Sequence, residues 1–214
     1  MIALSLLLLS PALGVAQTGA VAGAVRAEIV YADDPDEVTV RGPDGAIRKA
    51  SIGMAVGPGY TVLTGSSSAE LQLRPNGSAL RLAPRTTFQI DSLAGERASR
   101  TNSFSLIVGK VRMVAAKRGS AEQYSLRTQT SVCGVRGTDF GRMYDPLAAK
   151  DWVCVLHGVV EVVSADGKQR VSVADGDFVN LRAGYTASRA TQDWLTNNFT
   201  DISAFSRAEI PPQR

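Results

Sequence analysis

The stretch AELQLRPNGSALRLAP, Ala69 to Pro84, constrains the fold more than any other part of the chain. Leu71 and Leu73 alternate with Glu70, Gln72 and Arg74, and Leu80 and Leu82 alternate with Ala79 and Arg81. A period of two is that of a half-buried strand, and Asn-Gly between two such runs is the strongest short-range hairpin signal. With Asn76-Gly77 as a two-residue loop, Leu73 faces Leu80 and Leu71 faces Leu82, so all four leucines share one face. The same test succeeds in VVEVVSADGKQRVSVADGD, Val159 to Asp177. Centring on Asp166-Gly167 sets Val162 opposite Val171 and Val160 opposite Val173, with Glu161 and Ser172 on the other face.

Between the two hairpins, SFSLIVGKVRMVA, YSLRTQTSV and DWVCVLHG read as further short strands punctuated by Gly109, Gly119, Gly137 and Gly158. No long helical period occurs before residue 186. VTVRGPDG from Val38 and VEVVSADG from Val160 share a Val-x-Val pair and an Asp-Gly turn at one spacing. Such an echo suits a stacked strand-turn-strand unit. The expected fold is therefore all-β, a single domain of short strands and hairpins in a β-roll, a solenoid-like stack or a rolled sandwich. After Ala187 the pattern changes. TQDWLTNNFTDISAFSR places Trp194, Leu195, Phe199, Ile202 and Phe205 near a helical spacing, and Pro211-Pro212 ends the segment. This reads as a short C-terminal helix covering one end of the sheet, with Trp194 and Phe199 as candidate binding residues should that face meet a partner instead.

The first residues, MIALSLLLLSPALGVAQTGA, carry an apolar run, then Ser10-Pro11, then small residues, which is the shape of a secretory signal peptide. The expected organisation is a signal peptide over 1–16, a leader over 17–37, the β domain over 38–187 and a tail over 188–214. The run is too short to span a bilayer, so no transmembrane span is expected in the mature chain. A periplasmic or secreted location follows. The 23 Lys and Arg set against 20 Asp and Glu lie dispersed, without the basic run of a nucleic-acid binder.

Catalytic and metal chemistry find little to work with. The single histidine, His157, has no Gly-x-Ser-x-Gly elbow and no Cys-His pattern beside it. It reads as a surface turn residue, and a hydrolase built on it is the enzyme alternative. One histidine with Cys133 and Cys154 does not make a zinc site. The carboxylates near Asp33–Glu37 and at Asp175 and Asp177 stand in turns, where Asp bonds its own backbone. No catalytic residue, metal or cofactor is expected. A hairpin joining the strands of Cys133 and Cys154 around DPLAAK puts Cys133 opposite Val162 and Cys154 opposite Gly141. That is too far apart for a disulfide, whose Cα atoms lie within roughly 7 Å, so two free, largely buried thiols are expected.

The densest signal is TSVCGVRGTDF, Thr130 to Phe140. Glycines three apart in a strand region mark a bulge or a close chain approach. The segment resembles the signature of FecR-type domains, and GYTVLTGSSSAELQLRPNGSALRLAPRTTFQI, VGKVRMVA and VCVLHGVVEVV resemble that family's other segments in the same order. The likeness runs from about Val38 to Ala187. It departs from the family pattern at Gln129, where proline is common, at Cys133, where a small apolar residue is usual, and at His157, where an acid is common. The resemblance implies Gly134, Val135, Arg136, Gly137, Thr138 and Phe140 as motif residues. Gly134 and Gly137 set the backbone, Arg136 ties strands through Asp139 or Glu161, and Thr138 satisfies a local backbone group. The alternative makes Arg136 a receptor for an anion or carboxylate. The function implied is a non-catalytic binding or scaffold module of the cell envelope, whose partner is an envelope protein or a polysaccharide. A signalling regulator that contacts a receptor's signalling domain is the alternative.

Overall fold

The computed structural model describes residues 24–95, 101–117 and 123–212. The expected signal peptide, residues 1–16, lies outside the described residues. The strands run β1 (Arg26–Ala32), β2 (Val38–Arg41), β3 (Ile47–Lys49), β4 (Ala55–Val56), β5 (Thr61–Thr64), β6 (Ala69–Arg74), β7 (Ala79–Leu82), β8 (Thr87–Ser92) and β9 (Thr101–Val114). There follow β10 (Gln123–Arg127), β11 (Ser131–Val135), β12 (Asp139–Asp145), β13 (Lys150–His157), β14 (Val159–Ser164), β15 (Arg170–Ala174), β16 (Asp177–Asn180), β17 (Ser188–Arg189) and one helix, α1 (Gln192–Phe199). The fold is all-β, as the alternation predicts.

The strands form two layers. The first has the order β4-β1-β6-β7-β9-β12-β13-β16-β17 and is antiparallel throughout. The second has the order β3-β2-β5-β8-β9-β10-β11-β14-β15, antiparallel except for the parallel pair β9 and β10. The chain passes back and forth between the layers, mostly two strands at a time, which rolls a sandwich around one core. Strand β9 belongs to both. Its residues up to Val108 pair in the second layer, and those from Gly109 pair in the first. At the switch Gly109 has φ +107, and an added Cβ would lie 2.8 Å from Thr86 Cβ. Only glycine supplies that turn of backbone so close to a neighbouring chain.

Inward residues of both layers, among them Ile29, Leu71, Leu80, Phe88, Phe104, Met113, Phe140, Val153 and Val162, fill the main core. Phe88 stacks on Phe104 with ring centroids 5.5 Å apart. The Val38 and Val160 echo marks corresponding pieces of one layer. The β2–β3 and β14–β15 hairpins form its two opposite edges.

Register follows the sequence reading at one hairpin and departs from it at the other. Val160 pairs with Val173 and Val162 with Val171, as Asp166-Gly167 predicts. At Asn76-Gly77 the pairs are Leu71 with Leu80 and Ala69 with Leu82, a shift of two residues. The ladder closes where Leu73 N donates to Ser78 O at 2.8 Å, leaving a four-residue loop from Arg74 to Gly77. Pro75 has no N–H to extend the ladder. A shift of two preserves the faces, so Leu71, Leu73, Leu80 and Leu82 are all fully buried.

The expected domain boundary at residue 38 is corrected. β1 lies between β4 and β6, and Ala27, Ile29 and Ala32 are buried in the main core. The folded unit therefore includes residues that the sequence reading assigned to a leader. The boundary at 187 moves as well. β17 pairs with β16, and the tail beyond it packs on the outer face of the first layer.

Candidate functional site

The motif from Gly134 to Phe140 is the crossing from one layer to the other. β11 ends in the second layer at Val135, and β12 begins in the first at Asp139. Val135 and Phe140 point into the core, whereas Gly134 and Arg136 fall on the exposed alternate positions. The turn between them centres on Gly137, whose φ is +63 and whose added Cβ would lie 2.7 Å from Lys117 Cβ. Thr138 is buried and its Oγ1 donates to Val159 O at 3.1 Å, while its carbonyl accepts from Ala115 N at 2.9 Å. Gly134 differs from its expected role. It sits in regular extended backbone, and an added Cβ would meet only Glu161 O, at 3.9 Å.

Asp139, one of the two carboxylates considered for Arg136, is held by Arg112. Nε to Oδ1 is 2.9 Å and Nη2 to Oδ2 is 2.7 Å, a two-pronged pair across β9 and β12. His157 ends β13 partly exposed, with Nδ1 3.7 Å from Asp175 Oδ2. Cys133 and Cys154 are free and buried. The pairings Cys133 with Val162 and Cys154 with Gly141 both occur, yet in different layers. Cys133 faces the main core, and Cys154 lies on the other side of the first layer, so a sheet separates the thiols. Burial raises both above the ordinary thiol range, with Cys154 pushed up to about 12 by burial and then by Asp139 and Asp177. Among the described residues, no three of His, Cys, Asp and Glu come together to hold a metal ion. No helix among them is long and apolar enough to cross a membrane.

Two polar constellations escaped the sequence reading. The first lies inside the main core, where Arg142 on β12 is fully buried. Its Nη2 stands 2.7 Å from Asp151 Oδ1 on β13, and it donates to Thr128 Oγ1 at 3.0 Å and Ser131 Oγ at 2.7 Å. Thr130 Oγ1 donates to the second Asp151 oxygen at 2.5 Å. A buried charge needs such a set of partners. The signal was present in DFGRMYD, where alternation puts Arg142 on the same face as Phe140 and Tyr144.

The second constellation covers the outer face of the first layer. Helix α1, capped by Thr191 accepting from Trp194 N at 3.2 Å, opens a strap that crosses β16, β13, β12, β9, β7 and β6 in turn. Its first half is apolar. Trp194 stacks on Phe178 at 4.4 Å between centroids and meets Trp152 edge-on at 4.9 Å. Phe199 and Ile202 are buried with Cys154 in a second small core, and Phe199 lies over Gly141, where any Cβ would strike its ring. Trp194 and Phe199, the candidate binding residues, are therefore committed to the chain's own sheet. The second half of the strap is polar. Lys110 Nζ sits 2.8 Å from both oxygens of Asp201, and Arg81 Nε donates to Asp201 O at 3.3 Å. Arg112 donates to Ser203 O, and its guanidinium carbon lies 5.7 Å from the ring centroid of Phe199 and 5.2 Å from that of Phe205. On β6 the fully buried Glu70 takes Arg81 Nη1 at 2.6 Å and the backbone N–H groups of Ser206, Arg207 and Ala208 at 2.5, 2.8 and 2.9 Å. Gln72 accepts from Glu209 N at 2.6 Å and donates to Glu209 O at 3.2 Å.

Among solved structures, the chain is similar to two crystal structures of a "putative anti-sigma factor" from Parabacteroides distasonis ATCC 8503. Each likeness has 17% identity and a TM-score of 0.45, and covers 56% of this chain and 54% of that one. The chain thus spans about half the length of those proteins. No curated protein matches it. The sequence profile described as FecR protein matches residues 60–177, a span that opens just before β5 and closes at the first residue of β16 and contains the whole Gly134–Phe140 crossing. By that match the chain belongs to the FecR protein family.

Proposed function

We propose that this protein is a non-catalytic module of the cell envelope, periplasmic or secreted, that binds an envelope protein as part of a signalling system. Membership of the FecR family carries the reading. The disposition of the chemical groups supports it. The buried ionisable residues Glu70, Asp139, Arg142 and Asp151 are engaged in internal pairs, and the motif glycine Gly137 shapes a crossing between layers. Fractionation of the native cells, with mass spectrometry of the chain, tests the location. The expected product lies outside the cytoplasm and lacks residues 1 to about 16. A cytoplasmic chain retaining Met1 overturns the proposal.

A second reading, contact with a receptor's signalling domain by strand addition, is favoured by the edge strand β3. All three of its residues are exposed, with Ile47 at 62%, and an open edge is a template for a partner's strand. A photo-crosslinker at Ile47 that yields a discrete adduct with a receptor in native cells supports this mode, and crosslinking confined to other surfaces removes it.

A further inference from the structure

The polar half of the strap is held by contacts that recognise main chain. Glu70 accepts three consecutive backbone N–H groups, and Gln72 pairs with both the N–H and the C=O of Glu209. Those three consecutive N–H groups converge on one acceptor because the strap bends at Ser206–Ala208, and any segment able to bend there offers the same main-chain groups. The side-chain requirements are few: an acid against Lys110, and two aromatic rings against the Arg112 guanidinium. Past Ile202 the strap makes no strand or helix of its own, and Ser203, Ala204, Ser206, Arg207 and Glu209 are exposed. Segments so attached belong to the low end of a protein's range of local stabilities. Lifting the strap leaves Arg81 with Glu70 and Arg112 with Asp139, whereas Lys110 loses the Asp201 carboxylate. The uncovered face is thus charged for an acidic segment.

We propose that the outer face of β6, β7, β9 and β12 is a peptide-binding surface presently filled by Phe199–Glu209, and that a segment of a partner protein, bearing an acid between two aromatic residues, exchanges for the strap. The proposal rests on the binding-module reading given above and assigns that module its surface. The resident sequence, Phe199-Thr-Asp201-Ile-Ser-Ala-Phe205, serves as the template for the ligand. Exchange exposes no part of the main core, because the two layers close on each other beneath this face.

The test uses the full chain and a labelled peptide copying Asn198–Ile210. Asp201→Lys sets two cations together at Lys110 and weakens the strap in place while leaving the face intact. Because a tethered competitor acts at high effective concentration, the variant should bind the peptide more tightly than the wild type by on the order of ten-fold or more. A peptide carrying Lys at the position of Asp201 should lose that gain. In the wild type, native-state hydrogen exchange should show the amides of Arg207 and Ala208 opening well before those of Leu71 and Leu80. Phe205→Ser is a second strap-weakening variant should Asp201→Lys fail to fold. Equal protection of strap and β6 amides overturns the proposal, as does peptide binding no tighter in either variant. A concentration-dependent dimer formed by strap exchange also overturns it, by giving the face to a second copy. An envelope-located protein without exchange sinks this inference alone, whereas exchange in a cytoplasmic protein sinks the envelope reading alone.

Discussion

At the scale of single residues, the interior arginine is the costliest feature to disturb. Arg142 and Asp151 neutralise each other where neither reaches water. Removing one partner of such a pair typically costs about 3–5 kcal/mol, whereas replacing both with apolar groups can be nearly neutral. Arg142→Leu and Asp151→Leu are each expected to lower the urea midpoint sharply, and the double variant to fall well short of their sum. Additive losses would show that the two charges are stabilised independently. Cys154 gives a pH signature of opposite origin. Its folded pKa, about 12, lies above the roughly 8.5 of an unfolded thiol, so folding favours the neutral form. That contribution is complete below about pH 8.5 and is lost as pH rises toward 12, at no more than about 1.4 kcal/mol per pH unit. Cys154→Ala should flatten the alkaline fall of stability measured by denaturant titration between pH 9 and 11. An unchanged slope would mean that the thiol ionises in the folded state at its ordinary value.

The crossing between β11 and β12 is the element on which the family motif acts. Gly137 holds a left-handed conformation against the Lys117 side chain, and a β-branched residue there costs on the order of 1–3 kcal/mol. Gly137→Val should therefore shift the urea midpoint several-fold more than Lys168→Ala, which alters an exposed turn. Equal shifts would mean that the motif is not a backbone device. The hairpins show what is legible at this scale. Around Asp166-Gly167, alternation and turn chemistry agree and the register follows. Around Asn76-Gly77 the same signals place the leucines on the right face, but Pro75 ends the ladder early and the loop lengthens by two residues. β1 was missed because RAEIVYA alternates with small alanines as well as Ile29, a weak pattern directly after an apolar leader.

For the whole molecule, the all-β class and the helix at the C-terminus were legible, since both rest on periods that survive in any tertiary context. The strap's anchorage was not. Glu70 and Gln72 occupy outward positions of a strand, which alternation assigns to solvent, and they are buried only because a segment more than 130 residues later in sequence returns to cover them. Arg142 was lost for the converse reason, because a charged residue on a core face reads as an interruption of the pattern until its partner on the next strand is known. The strand common to both layers has a mechanical consequence. Since β9 is stitched to β8 and β10 on one side of Gly109 and to β7 and β12 on the other, sliding one layer over the other would break ladders in both at once. The roll therefore resists shear between its layers, and the displacements left open to it lie at its edges and in the strap.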